Sequence, residues 1–202
     1  VSKAKKEQQY YNGIQIDSIE EQMAVMYFEE LIEAGYVKSI ERAETFLLSE
    51  KVQNKYTQLV EMKTKIKQVE KNQVLLEEHV YTPEFKVNWT EKALYILMTN
   101  MGQYNTKITQ PFMGNYSDLD NLTSYIEVKP NFDHHNMTRL FKINQKWMYQ
   151  EHSKFVNLVQ PHKLFEETFT PTAYLKTATG KQRVIHWKVR TLEEYLDTLT
   201  NQ

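Results

Sequence analysis

The sequence predicts an α/β fold, and three observations predict it. The 202-residue chain is 41% hydrophobic and 12% aromatic, enough to bury a core of ordinary domain size. Its periodic segments run helix, strands, helix, strand, the order of a layered α/β arrangement. One strand candidate, "SYIEVKP" at 124–130, is apolar at its centre and closed by Pro130, as a buried strand would be.

The elements follow in order. Residues 1–12 are polar with no apolar segment, which fits a flexible leader and not a secretory signal. "GIQIDS" (13–18) reads as a short strand ending in a helix N-cap, Asp17 or Ser18. Ser18 and Glu21 have the S-x-x-E form of a capping box, and the helix should run to about Ala34 and stop at Gly35. Its apolar arc is wide (Met23, Val25, Met26, Tyr27, Phe28, Leu31, Ile32), so it should pack on a sheet.

Residues 36–48 alternate loosely and predict a strand. Over 52–70, Tyr56, Leu59, Met62, Ile66 and Val69 have helical spacing and predict a helix, although Thr64 and Ile66 among lysines also suit a strand. β character resumes on both sides of Pro83, and 90–123 is an excursion rich in turn formers. Residues 134–152 predict an amphipathic helix with Met137, Leu140, Phe141, Asn144 and Met148 near one face. A strand follows at 154–161. The tail predicts a basic hairpin turning at Thr179–Gly180, then a helix capped by Thr191 with Glu194 three residues on. The domain reading is a leader to residue 12, a core over 13–170 with an insertion at 90–123, and a C-terminal hairpin and helix over 171–202.

Composition removes several function classes. There is no cysteine, which excludes disulfides, thiolate catalysis and cysteine-ligated zinc and suits a reducing cytoplasm. With five glycines and no glycine-rich loop, nucleotide binding by the usual phosphate loops has no support. No apolar run reaches membrane-spanning length. The net charge of −1 draws the chain to no partner in bulk, so a nucleic-acid site must be a local basic patch. His134 and His135 are adjacent in a predicted helix and point about 100° apart, a poor chelating pair.

One constellation carries chemistry. Glu127 and Lys129 share one face of a strand while Val128 faces the other way. Glu84, in "YTPEF", stands at the mouth of another strand that could lie beside it. Two carboxylates with a backbone carbonyl and waters suit Mg²⁺ or Mn²⁺, and a neighbouring lysine can hold an attacking water or steady charge on a phosphate. Those are the needs of phosphodiester hydrolysis. Periodicity does not choose between Glu20 and Glu21 on the first helix, and a capping role alone would explain Glu21.

These residues resemble a known family. "YTPEF" followed by "EVK" is similar to the signature of the PD-(D/E)xK nuclease superfamily. The longer run "GIQIDSIEEQ…FEELIEAGYVKSIERAETFLL…YTPEFKV…YIEVKP" resembles its phage-encoded, resolvase-like endonucleases over about residues 13–161. The resemblance implies a restriction-endonuclease-like core with a mixed central sheet flanked by helices. It also implies Mg or Mn held by Glu84, Glu127, the Val128 carbonyl and Glu21, with Lys129 as the catalytic lysine. Gln145, on the helix after the EVK strand, is the candidate for a further polar site residue. DNA would be the substrate, for junction resolution or nicking, in the cytoplasm of a host if the chain is phage-encoded. A homodimer or a larger phage or transposition complex would be the assembly. Two departures stand out: a glutamate occupies position 84 where the family has aspartate, and 42 residues separate Glu84 from Glu127.

Basic residues offer contacts to DNA. Arg139, Lys142 and Lys146 lie on the helix after the EVK strand, and Lys181, Arg183 and Lys188 in the tail, interleaved with Tyr174 and Trp187. The plainer readings are a solvated helix face and a flap covering the core. Two alternatives to an enzyme remain: a catalytically inactive nuclease-fold DNA-binding module, and a structural subunit of a phage assembly.

Overall fold

The computed structural model describes residues 9–100, 110–115, 122–131 and 137–200. Within the predicted leader, β1 (Gln9–Tyr11) pairs antiparallel with β2 (Ile14–Ile16). Asn12 and Gly13 connect them with φ of 46° and 82°, the left-handed pair that a two-residue hairpin turn requires. The last residues of the predicted leader thus lie in a strand.

Helix α1 (Ile19–Glu33) begins and ends where the sequence places it. Ser18 is the N-cap, its Oγ accepting from the Glu21 amide at 3.1 Å. Ala34 closes the helix, and Gly35 follows at φ 77°. The predicted strand over 36–48 is in fact two, β3 (Val37–Arg42) and β4 (Phe46–Ser49).

The segment expected to be helical is a long antiparallel ribbon, β5 (Val52–Met62) with β6 (Lys65–Leu76). Strand β7 (His79–Tyr81) returns along β4, and the Thr45 and Thr82 hydroxyls meet at 2.8 Å. Residues 45–82 form a compact unit separate from the rest of the chain. The helical spacing misleads because the ribbon is solvated on both faces. Apolar side chains fall on each face, and no core enforces a period of two.

The larger unit holds residues 1–44 and 83–202. Its strands are β8 (Phe85–Trp89), β9 (Met98–Asn100), β10 (Phe112–Gly114), β11 (Thr123–Val128) and β12 (Val156–Val159). The central sheet is mixed, in the order β12-β11-β8-β3. Strands β3, β8 and β11 are antiparallel neighbours, and β11 runs parallel to β12. Within the described part of the 90–123 excursion, β9 and β10 pair in parallel.

Helix α2 (Met137–His152) crosses from β11 to β12. It buries Phe141, Asn144 and Met148 but leaves Leu140 exposed. His134 and His135 lie outside the described residues. Helix α3 (Pro161–Glu167) is an element the sequence reading did not anticipate. Pro161 stands in its first turn, where a missing N–H costs nothing.

The core lies between α1 and the sheet. Phe28, Phe85, Val87, Trp89, Ile126 and Phe165 are fully buried there. Tyr27 stacks on Phe169 at 4.3 Å and donates its hydroxyl to Thr168 Oγ1 at 3.1 Å. Trp89 Nε1 donates to Ser124 Oγ at 2.9 Å, so the largest side chain in the core leaves no polar atom unpaired.

The tail is not a hairpin ladder. A single bridge, Lys176 with Gln182, flanks a turn ending at Gly180 (φ 79°). Beyond it the chain is anchored by side chains. Trp187 Nε1 donates to Thr170 Oγ1, Arg190 Nη2 donates to the Glu166 carbonyl, and Trp187 stacks at 6.3 Å on buried Tyr174. These anchors hold 183–190 against the core and leave no strand partner. Helix α4 (Leu192–Thr200) has the predicted capping box, Thr191 with Glu194. No helix among the described residues is long and apolar enough to cross a membrane.

Candidate active site

Register decides which side chains meet at the end of the sheet. In the β8–β11 ladder Ile126 lies opposite Phe85. One step further, where β8 begins after Pro83, Glu84 comes level with Glu127. Ile126 and Val128 belong to the core beneath α1, so Glu127 and Lys129 project from the other face. Lys129 Nζ lies 2.6 Å from Glu127 Oε1, a close pair in which the side chains are only 16% and 8% exposed.

The N-terminus of α1 supplies a third carboxylate. Glu21 is buried and serves as a capping residue. Its oxygens accept from the Asp17 amide at 3.1 Å and the Ser18 hydroxyl at 3.3 Å. The choice left open between Glu20 and Glu21 falls to Glu21, since Glu20 is partly exposed.

Between these carboxylates sits a residue that the sequence reading did not single out, Arg42 at the end of β3. Its Nη2 reaches Glu21 Oε2 at 2.5 Å and Asp17 Oδ2 at 3.3 Å, and its Nη1 reaches Glu84 Oε2 at 3.0 Å. The guanidinium also lies 4.9 Å from the Phe85 ring centroid. Strand parity offered a signal for it. Ile40 is buried, so Arg42, two residues on, continues the same face of the strand. A cation aimed that way needs anions waiting.

Glu84 feels all of these groups. Burial, then the neighbouring Glu21 and Glu127 carboxylates, pushes its carboxyl up to about 7 against the opposing pull of Lys129 and Arg42.

The other predicted residues are more dispersed. Val128 is within β11, level with Val159. Gln145 is not brought to the carboxylates. Its Nε2 donates to the Val156 carbonyl at 2.6 Å, at the register of Tyr125, and it lines a separate cleft with Met113, Tyr149 and Phe155. Arg139, Lys142 and Lys146 are exposed on α2, and Lys181 and Lys188 are exposed in the tail. Arg183 is half-buried, its guanidinium 4.8 Å from the Tyr174 ring centroid.

Among the described residues no group of three His, Asp or Glu side chains is already gathered as a metal site. Glu21 and Glu84 pair with Arg42, and Glu127 pairs with Lys129. Comparison with family models, with curated proteins and with solved structures finds no match to this chain.

Proposed function

We propose that this chain is a metal-dependent endonuclease that hydrolyses DNA phosphodiester bonds. The observation that carries the reading is a pair of ion-paired groups at one end of the sheet: Glu21 and Glu84 on Arg42, and Glu127 on Lys129, with Glu84 within electrostatic reach of Glu127 and Lys129. The order of those residues and the mixed sheet that holds them support a restriction-endonuclease-like core of the PD-(D/E)xK kind.

The donor set fits a hard divalent cation. Carboxylate oxygens are the ligands that Mg²⁺ and Mn²⁺ prefer. Burial, then Glu21 and Glu127, pushes Glu84 up to about 7, and a bound cation would favour its charged form. Glu84, Glu127 and the Val128 carbonyl would hold the ion, with Glu21 supporting it. When bound, such an ion polarises the phosphate and lowers the pKa of its water.

The chain's own residues do the rest. Lys129, held by Glu127, donates a hydrogen bond to the attacking water or to a phosphate oxygen and steadies the charge that develops there. Glu127 fixes the ammonium in place. Arg42 holds Glu21 and Glu84 at a set separation, which keeps the site assembled before substrate arrives. The water oxygen bonds to phosphorus, the bond to the leaving sugar oxygen breaks, and the proton that the water gives up ends on that oxygen.

Arg42 also supports a second reading. Its guanidinium already lies against two of the carboxylates, as it would in a nuclease-fold DNA-binding module that has given up catalysis. Purified protein incubated with duplex, branched and single-stranded DNA in Mg²⁺ or Mn²⁺ separates the two. The nuclease cuts at least one substrate, and Lys129→Ala lowers the rate at least a hundredfold. Absence of cutting by wild type, with DNA retarded and no heat of Mn²⁺ binding, establishes the inactive module.

A further inference from the structure

We propose that the β5–β6 ribbon is a nucleic-acid-binding arm that lays one of its two faces along duplex DNA. The inference does not depend on the nuclease reading, because it rests on residues of the 45–82 unit alone.

The ribbon pairs eleven residues of β5 with β6 across a two-residue connection, Lys63 and Thr64. At strand rise it is about 36 Å long. Every residue of β5 and β6 is exposed except Val60 and Val69, which are partly so. It has no core of its own to explain such length.

Its faces differ in charge. Residues directly opposite in an antiparallel ladder share a face. The register Tyr56↔Lys71, Gln58↔Val69, Val60↔Lys67 and Met62↔Lys65 therefore puts Lys65, Lys67 and Lys71 on one side, with Tyr56 and Gln58. Thr57↔Glu70 and Glu61↔Ile66 put both acidic residues of the outer ribbon, Glu61 and Glu70, on the other. Among the described residues none of the three lysines forms an ion pair. Lys65 and Lys67 stand about 7 Å apart along the strand.

A row of unpaired ammonium groups with no carboxylate beside them complements a polyanion. The amide of Gln58 can hydrogen-bond phosphates or base edges, and Tyr56 adds a flat apolar surface. A two-stranded ribbon is also a shape that the major groove admits. The chain as a whole carries a net charge of −1, so this attraction belongs to the arm.

The test is fluorescence anisotropy with a labelled DNA duplex in EDTA, where binding is read without cleavage. Lys65→Gln/Lys67→Gln/Lys71→Gln should bind about tenfold or more weakly at 0.1 M salt, with the dependence of log affinity on log salt shallower by about 3. The corresponding triple arginine variant should bind like wild type. Lys55→Gln, on the opposite face, should change affinity less than twofold. Thermal midpoints within a few degrees of wild type show that the exposed substitutions leave the fold intact. Equal affinity and equal salt slope for the glutamine triple variant and wild type overturn the proposal. So does a wild-type chain that fails to bind duplex but dimerises through the ribbon, by light scattering. Loss of cleavage in Lys129→Ala with arm-dependent binding retained supports the arm. Binding retained without any cleavage, even by wild type, defeats the nuclease reading alone.

Discussion

Replacing Glu84 by glutamine should stabilise the metal-free protein at neutral pH, which is the reverse of the usual effect of deleting a charge beside an arginine. Glu84 has its carboxyl raised from 4.5 to about 7, chiefly by burial and then by Glu21 and Glu127. A rise of that size corresponds to about 3 kcal/mol for a fully buried group. The side chain is 26% exposed, and solvent screening brings the expected figure to about 1–2 kcal/mol. The direction follows from proton counting. Below the ordinary value of 4.5 the group is protonated in folded and unfolded chains alike and costs nothing. As pH rises towards 7 the unfolded chain releases the proton while the folded chain keeps it, so stability falls. Above 7 the cost is complete and constant. Urea unfolding in EDTA should show Glu84→Gln equal to wild type near pH 4.5 and more stable by about 1–2 kcal/mol at pH 8. Mg²⁺ added at pH 8 should then raise the stability of wild type more than that of the variant. A variant less stable than wild type at pH 8, or a difference that does not change with pH, would refute a Glu84 carboxyl raised by its burial and its neighbours.

Further predictions concern residues around the same cluster. Arg42→Ala strands buried Glu21 without its cation and should cost about 3 kcal/mol in EDTA, measured by urea unfolding, with part of the loss recovered in Mn²⁺. Ser18→Ala removes the N-cap that accepts from the Glu21 amide and should lower stability by about 1 kcal/mol. Because Ser18 also donates to the Glu21 side chain, the same variant should weaken Mn²⁺ binding in calorimetry. Gly35→Ala introduces a side chain at φ 77° with nothing crowding the added carbon. A loss of about 1 kcal/mol is expected from backbone strain alone, and an unchanged thermal midpoint would argue against the left-handed C′ position.

The parts of the fold legible from sequence were those where local chemistry and burial agree. Ser18 and Gly35 mark the ends of α1 because caps act within one turn of the chain. The strand carrying Glu127 is legible because it is short, buried along its length and closed by Pro130. The ribbon over 52–76 was not. Tyr56 and Met62 lie on one face and Leu59 and Ile66 on the other, so no single buried face exists to write a period of two into the sequence. In the tail the turn at Gly180 forms as expected, but the ladder beyond it does not: the aromatic residues find partners in the core, such as Thr170 for Trp187.

Within the candidate site, the carboxylates and lysine could be named because short motifs carry them. For Arg42 strand parity gives only the face; its partners appear once β3, β8 and α1 are brought together, over separations of 21 and 42 residues from Glu21 and Glu84. Gln145 marks the opposite error. It lies on the expected helix, but its amide is taken up by the Val156 carbonyl, and helical position alone does not tell where a side chain ends.

A crystal soaked in Mn²⁺ and measured at the manganese absorption edge addresses the cation site itself. The account predicts an anomalous peak bonded to oxygens of both Glu84 and Glu127 at about 2.1 Å, absent from Glu127→Gln crystals treated the same way. Wild-type crystals that bind manganese only elsewhere, from protein that cuts DNA in the same buffer, would contradict it.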